Sequence, residues 1–195
     1  MLGKLARREW NVVEHSNNTR PVHHLLFQDL TPPDAPYFAG HYRGEDFSGL
    51  LNYFVEIRSD PLVGTHPRLV FQKMDFLGQS IRAAIGALDG VIARGERRFT
   101  EDFALKIAKV SAWIFVTFLG IHPYANGNGH AARFIVRLVA WHYGYWAGAW
   151  TIEPRPGLPG DGTDYSSAIY LYRRGNTEIL ERAFLLMLLD GAGST

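Results

Sequence analysis

From Thr100 to about Leu119 the chain reads Thr-Glu-Asp-Phe-Ala-Leu-Lys-Ile-Ala-Lys-Val-Ser-Ala-Trp-Ile-Phe-Val-Thr-Phe-Leu, apolar on nearly every side of a helix. A helix without a polar face has to lie in the middle of a fold, so other elements must surround this one. Thr100 is placed to cap its N-terminus, and Glu101 and Asp102 put negative charge where the helix dipole favours it. The most apolar part, Ser111–Ile121, is too short to span a bilayer, and Lys106 and Lys109 lie one to two turns before it. A buried core helix is the better reading, and no membrane partner is expected.

The surrounding elements follow from the same periodicity. Leu77, Ile81, Ala84, Ile85, Leu88 and Ile92 recur at helical spacing and predict a helix from Asp75 to about Ala93. Another should begin near Asn128–Gly129 and pass through Phe134, Ile135, Leu138 and Val139 towards Tyr145. Two shorter helices are expected at about Asp164–Arg174 and Thr177–Leu189, with Gly175 as the stop between them. Glu153-Pro-Arg-Pro-Gly-Leu-Pro-Gly-Asp-Gly162 reads as a loop.

Between about Leu51 and Gln72 the pattern changes. Val55 and Ile57 alternate with Glu56 and Arg58, Leu69-Val-Phe71 can return opposite them, and residues 59–67 carry turn formers, which predicts a β-hairpin. Thr31-Pro-Pro-Asp-Ala-Pro36 breaks regular structure and sets off residues 1–37 as an N-terminal extension. The expected architecture is mainly α, a helical bundle with one β-hairpin.

A length of 195 residues fits one domain, and an apolar share of 47% is enough to give it a substantial core. Net charge is +1, so no electrostatic footprint points to nucleic acid or an anionic membrane, and no nucleic-acid partner is expected. With no cysteine, disulfides and thiol chemistry are excluded, and the absence fits a reducing compartment. Met1–Trp10 lacks the apolar run of a secretory signal, so a cytoplasmic location is expected. There is no Walker-type phosphate loop and no His-Glu-x-x-His, which leaves a P-loop NTPase or a zincin without support. The His23-His24 pair has no second pair at ligand spacing and reads as packing or surface. Trp141, Tyr143, Tyr145, Trp146 and Trp150 read by default as core.

Chemistry concentrates in His122-Pro-Tyr-Ala-Asn-Gly-Asn-Gly-His-Ala-Ala-Arg133. Gly127-Asn128-Gly129 directly before a helix can turn backbone N–H groups inward at the positive end of the helix dipole, an anion site. Arg133, about one turn inside the helix, can reach a second phosphate in bidentate fashion. His122 titrates near neutral pH and can serve as a general base. Asn-Gly-Asn-Gly also occurs in ordinary interhelical turns, His-Pro can merely end a helix, and Arg133 can pair with a carboxylate. Each feature is weak alone, and their ordered coincidence within twelve residues is not.

This stretch resembles the Fic motif, His-x-Phe-x-Asp/Glu-Gly-Asn-Gly-Arg-x-x-Arg. Phe118-Leu-Gly-Ile-His-Pro123 is similar to the family's entry into the motif, and Gly40-His-Tyr-Arg43 to the lead-in of its hairpin "flap". Tyr165–Ile169, Arg174-Gly-Asn-Thr177 and the helix after them are similar to its C-terminal region. The likeness covers roughly residues 38–190. It implies a Fic-type helical bundle with a flap at about 51–72, an active-site loop and helix at 121–145, and a short tail, residues 191–195. It further implies transfer of AMP from ATP to a Ser, Thr or Tyr hydroxyl of a target protein docked on the flap, with His122 as base.

Under the same resemblance, Gly127, Asn128, Gly129, His130 and Arg133 would hold phosphates, Asn128 adding its side chain. Tyr124 stands where the family has an anchoring Phe. Asn126 replaces the acidic Mg²⁺ ligand, and a neutral amide oxygen lacks the charge that hard cations prefer. His130 replaces the first arginine, so a fixed charge becomes a titratable one. A Fic module that binds nucleotide or protein without efficient catalysis, and a Fic transferase with another donor, are the alternatives these changes keep open. Thr177-Glu-Ile-Leu-Glu181 resembles the start of the family's inhibitory motif, but Arg182 stands where Gly or Asn is expected. Packing with a solvated charge is the preferred reading there, and inhibition would come from an antitoxin-like partner.

Overall fold

The computed structural model describes residues 11–57, 60–95, 99–145 and 165–192. Met1–Trp10, Arg58, Trp146, Trp150 and the expected loop Glu153–Gly162 lie outside the described residues, as do residues 193–195. The described part is mainly helical, with α1 Val12–Asn17, α2 Arg20–Phe27, α3 Pro67–Ala93, α4 Glu101–Ile121, α5 Asn128–His142, α6 Tyr165–Tyr172 and α7 Glu178–Ala192. Short 3₁₀ turns occupy Gln28–Leu30 and Pro36–Phe38, on either side of the proline-rich break.

One expectation needs correcting. No strand is present among the described residues, and the β-hairpin flap is not found. Leu69-Val-Phe71, read as its return strand, lies in the first turns of α3. Pro67 begins that helix, where its missing N–H costs nothing, and the next free amide, Arg68 N, donates to His66 Nδ1 at 3.3 Å. The stripe Val70, Met74, Leu77 and Ile81 is buried while Leu69 and Phe71 face solvent, which is helical periodicity and not alternation. Residues 53–57 adopt neither helix nor strand, and Tyr53, Phe54 and Ile57 are exposed.

The chain forms two compact units. One comprises residues up to Ala83 with Thr117–Ile135. Its core gathers Val22, Leu50, Leu77, Phe118, Tyr124 and Ile135. Asn11 caps α1 through Oδ1, which accepts from Val13 N at 2.9 Å and Glu14 N at 3.2 Å. The other unit comprises Ala84–Val116 and residues from Val136 onward. Thr100 Oγ1 accepts from Phe103 N at 3.2 Å, the cap expected at the start of α4.

Within the second unit Phe103, Ile107, Ile114 and Phe115 are fully buried, the last in ring contact with Phe184 of α7. Tyr143 and Tyr145 are buried as expected, and the Tyr143 hydroxyl lies 3.0 Å from both Ile85 O and Asp89 Oδ1. By length and composition alone α3 and α4 could each cross a membrane, a test that the core helix of a soluble protein also passes. The eleven-residue length argument therefore gives way, since α4 runs to 21 residues. The burial of its side chains is what fits a core helix.

Candidate functional site

The twelve-residue segment lies between the end of α4 and the first turn of α5, inside the first unit. A helix end leaves carbonyls without intrahelical partners, and here those of Gly120 and Ile121 find donors outside the helix. Gly64 N donates to Gly120 O at 2.9 Å and Thr65 N to Ile121 O at 3.2 Å. The rest falls to Arg43, which is 1% exposed. Its Nε donates to His122 O at 2.7 Å, Nη1 to Tyr53 O at 2.8 Å, and Nη2 to both Thr65 O and Ile121 O at 3.0 Å. The Arg43 amide donates to Pro123 O at 2.8 Å. A guanidinium at the negative end of a helix dipole, with every bond charge-assisted, makes a strong clamp.

His122 follows the last helical residue. Its amide still donates to Phe118 O at 2.9 Å, but its φ is 54°, the left-handed region. Glycine takes that conformation freely, whereas a side chain there costs on the order of 1 kcal/mol or more. Histidine is thus held where helix geometry alone would select glycine. Its side chain is half-buried.

Pro123 and Tyr124 then turn the chain inward. Tyr124 is fully buried and stacks on His23, with ring centroids 3.6 Å apart and planes 11° off parallel. Its hydroxyl lies 2.6 Å from Thr19 Oγ1, which is 3.3 Å from Tyr42 OH. Burial pushes the Tyr124 hydroxyl well above its ordinary range, so it stays protonated.

Asn128 opens α5, and its side chain faces back into the loop. Its Oδ1 accepts from Tyr124 N at 2.9 Å and its Nδ2 donates to Tyr124 O at 2.8 Å. The side chain therefore latches the loop, using one of its two N–H donors and one acceptor position of its oxygen. The backbone amide of Asn128 can be offered to an anion. The amides of His130 and Ala131 return to Gly127 O at 3.0 and 3.1 Å. Those of Asn128 and Gly129, at the first two helical positions, have no acceptor one turn back. Over them lies Arg133, with Nη1 3.3 Å from where a β-carbon on Gly129 would be. Two amides and a guanidinium at the positive end of a helix are the groups from which an anion cradle would be built.

The loop between these ends is packed from behind by α2. Gly127 has φ 74°, and a β-carbon there would overlap the Phe27 ring, so glycine is required twice over. His23 Nε2 donates to Asn126 O at 3.0 Å while its Nδ1 accepts from Gly40 N at 3.0 Å, so the ring is neutral with the proton on Nε2. Burial lowers its pKa from 6.5 to about 4, against the opposing effect of the Asn126 bond. The pair His23-His24 thus has the packing role expected of it, in His23.

His130 sits edge-on to Phe27, with centroids 5.7 Å apart. Burial, then the charge of Arg133, lowers its pKa, so at neutral pH it adds no fixed charge to the cradle. Asn126 is exposed, and its Oδ1 accepts from Gly127 N at 2.7 Å. A lone neutral amide oxygen turned back on its own loop does not fit a protein-built Mg²⁺ site. No group of three His, Asp, Glu or Cys that could hold a metal occurs among the described residues.

The sequence drew attention to the loop and not to what supports it. Arg43 entered only as the end of Gly40-His-Tyr-Arg43, and Thr19 and His23 not at all as site residues. One signal was available: a tyrosine at a buried anchor needs a partner for its hydroxyl.

No family model matches the chain. Over 36 residues, 18% of the chain, it is 42% identical to a Fido domain-containing protein of Dictyostelium discoideum. The chain spans about a quarter of that relative's length, 25%. The likeness is to a Fido domain and short.

Proposed function

We propose that the chain is a Fic-type transferase that moves AMP from ATP to a Ser, Thr or Tyr hydroxyl of a target protein. The observation that carries this reading is that one loop joins a histidine held in a strained backbone conformation to the candidate anion cradle that begins six residues on. Strain kept at a polar residue argues for a function that needs the residue there. His122 takes the proton of the target hydroxyl, whose oxygen forms a bond to the α-phosphorus. The bond from that phosphorus to pyrophosphate breaks, and pyrophosphate leaves. The amides of Asn128 and Gly129, with Arg133, neutralise the phosphate charge. Mg²⁺ enters this reading with ATP, as part of the substrate.

The target would dock along residues 51–57, where Leu51, Tyr53, Phe54 and Ile57 are exposed. Without a strand edge there, side-chain contacts rather than ladder hydrogen bonds would hold it. The short Fido-domain likeness supports the family assignment. His122→Ala should abolish transfer of label from α-labelled ATP while leaving the helical circular-dichroism signal intact. Transfer that persists in that variant refutes the assigned base.

A second reading, a nucleotide-binding Fic module without efficient catalysis, is favoured by two observations: the inward turn of Asn126 Oδ1 and the depressed pKa of His130. Combining Asn126→Asp with His130→Arg separates the readings. Transfer that appears only in the double variant means that the native chain binds without turning over.

A further inference from the structure

The side chain of Arg43 is closed off from solvent, and its guanidinium contacts four main-chain carbonyls from three stretches of chain. Ile121 O and His122 O belong to the end of α4 and the residue proposed as base. Tyr53 O and Thr65 O flank the segment 53–65. The grip on His122 O acts on the one residue of the segment described above that is both non-glycine and at positive φ. That grip adds to the bond from the His122 amide to Phe118 O, and loosening it favours relaxation to negative φ, which relieves strain and redirects the imidazole.

We infer that Arg43 is the positioning residue for His122: it holds the histidine backbone in the left-handed region and fixes its register against residues 53–65. This rests on the transferase reading for its catalytic consequence but not for its structural one. Arg43 is remote from the cradle amides as far as its bonds go, since none of them reaches residues 127–133. It should therefore govern turnover and not nucleotide affinity. Lysine, with one ammonium on a flexible stem, can serve some of the carbonyls but cannot reproduce the fork.

The test uses the full chain in four forms: wild type, Arg43→Lys, His122→Gly, and the double variant. Thermal unfolding of all four closes a cycle that needs no activity. The melting temperature lost through Arg43→Lys should be clearly larger in the His122→Gly background, because in wild type the loss of the clamp is partly offset by release of the His122 strain, which glycine does not carry. Equal losses in both backgrounds overturn the inference. Pyrophosphate release from ATP gives kcat and KM, and calorimetry with ATP gives Kd. Arg43→Lys should lower kcat on the order of tenfold to a hundredfold, as a misplaced group does, with KM and Kd for ATP little changed. A parallel loss of ATP binding, or an unchanged kcat in an active chain, refutes the positioning role. If His122→Ala turns over like wild type, the base assignment fails by itself, and the melting-temperature cycle still decides what Arg43 holds.

Discussion

Acid should loosen the loop through His23, and the size of the effect follows from the packing. The ring donates from Nε2 to Asn126 O and accepts at Nδ1 from Gly40 N, so a proton on Nδ1 breaks the second bond and leaves a cation stacked in the core. Burial sets the folded pKa at about 4, against 6.5 for the free side chain. Because the folded value is the lower one, the unfolded chain binds more protons between these limits. Stability from this residue is complete above about pH 6.5 and falls as pH drops towards 4. A difference of two to three pH units corresponds to about 3 kcal/mol, a large part of a typical domain's stability. His23→Gln removes the titration and keeps an amide that can donate to Asn126 O. Urea denaturation of both proteins from pH 8 to pH 4 reads the difference, in which linkage from independent groups cancels. Wild type should be the more stable at pH 8, with the gap moving by about 3 kcal/mol in the variant's favour by pH 4. Ring-proton NMR gives the pKa directly. Stability curves that stay parallel, or a His23 ring titrating near 6.5, would refute the reasoning.

Further outcomes follow from the same geometry. His122→Gly should lose transfer yet match or exceed wild type in thermal stability by up to about 1 kcal/mol, since glycine suits φ 54°; a clear destabilisation would mean that the backbone is not strained there. Thr19→Val should cost about 1–3 kcal/mol by removing the Thr19 partner of the Tyr124 hydroxyl, whereas Thr19→Val with Tyr124→Phe should cost markedly less, a non-additivity read by chemical denaturation. Gly129→Ala should leave α5 as stable or slightly more so, while its β-carbon presses on Arg133 and weakens ATP binding in calorimetry. Asn128→Ala should destabilise the chain by roughly 2 kcal/mol through loss of both bonds to the Tyr124 main chain, even without nucleotide present.

The helices were legible where a single face or cap announced them. The apolar surround of α4 and the Thr100 cap needed only local pattern, and Tyr143 and Tyr145 are buried as composition suggested. The start of α3 was misread because Leu69-Val-Phe71 offers three apolar residues in a row, and such a run fits strand or helix equally. The helical evidence lay farther on, in Val70, Met74 and Leu77, whose spacing continues the stripe of Ile81. Residues of the candidate loop were legible because their chemistry is packed into twelve positions. Their supports were not, because Arg43 lies 79 residues from His122 and His23 lies 103 from Asn126. Pairs so distant are brought together by tertiary packing, to which local periodicity is blind. The inward latch of Asn128 was hidden for another reason: an Asn at a helix start serves a ligand or its own loop with the same atoms.

The Arg43 clamp has a consequence for how such a protein can change over generations. All its acceptors are peptide carbonyls, which every amino acid possesses, so no side chain at positions 53, 65 or 121 is needed to hold the histidine. Side chains at 53, 65 and 121 can therefore change without removing the acceptors of the clamp, whereas Gly64 between them, at φ 95°, has no room for a β-carbon. The path of the histidine backbone thus depends on one arginine and on the main-chain bonds beside it, and not on the identity of the residues that lend their carbonyls.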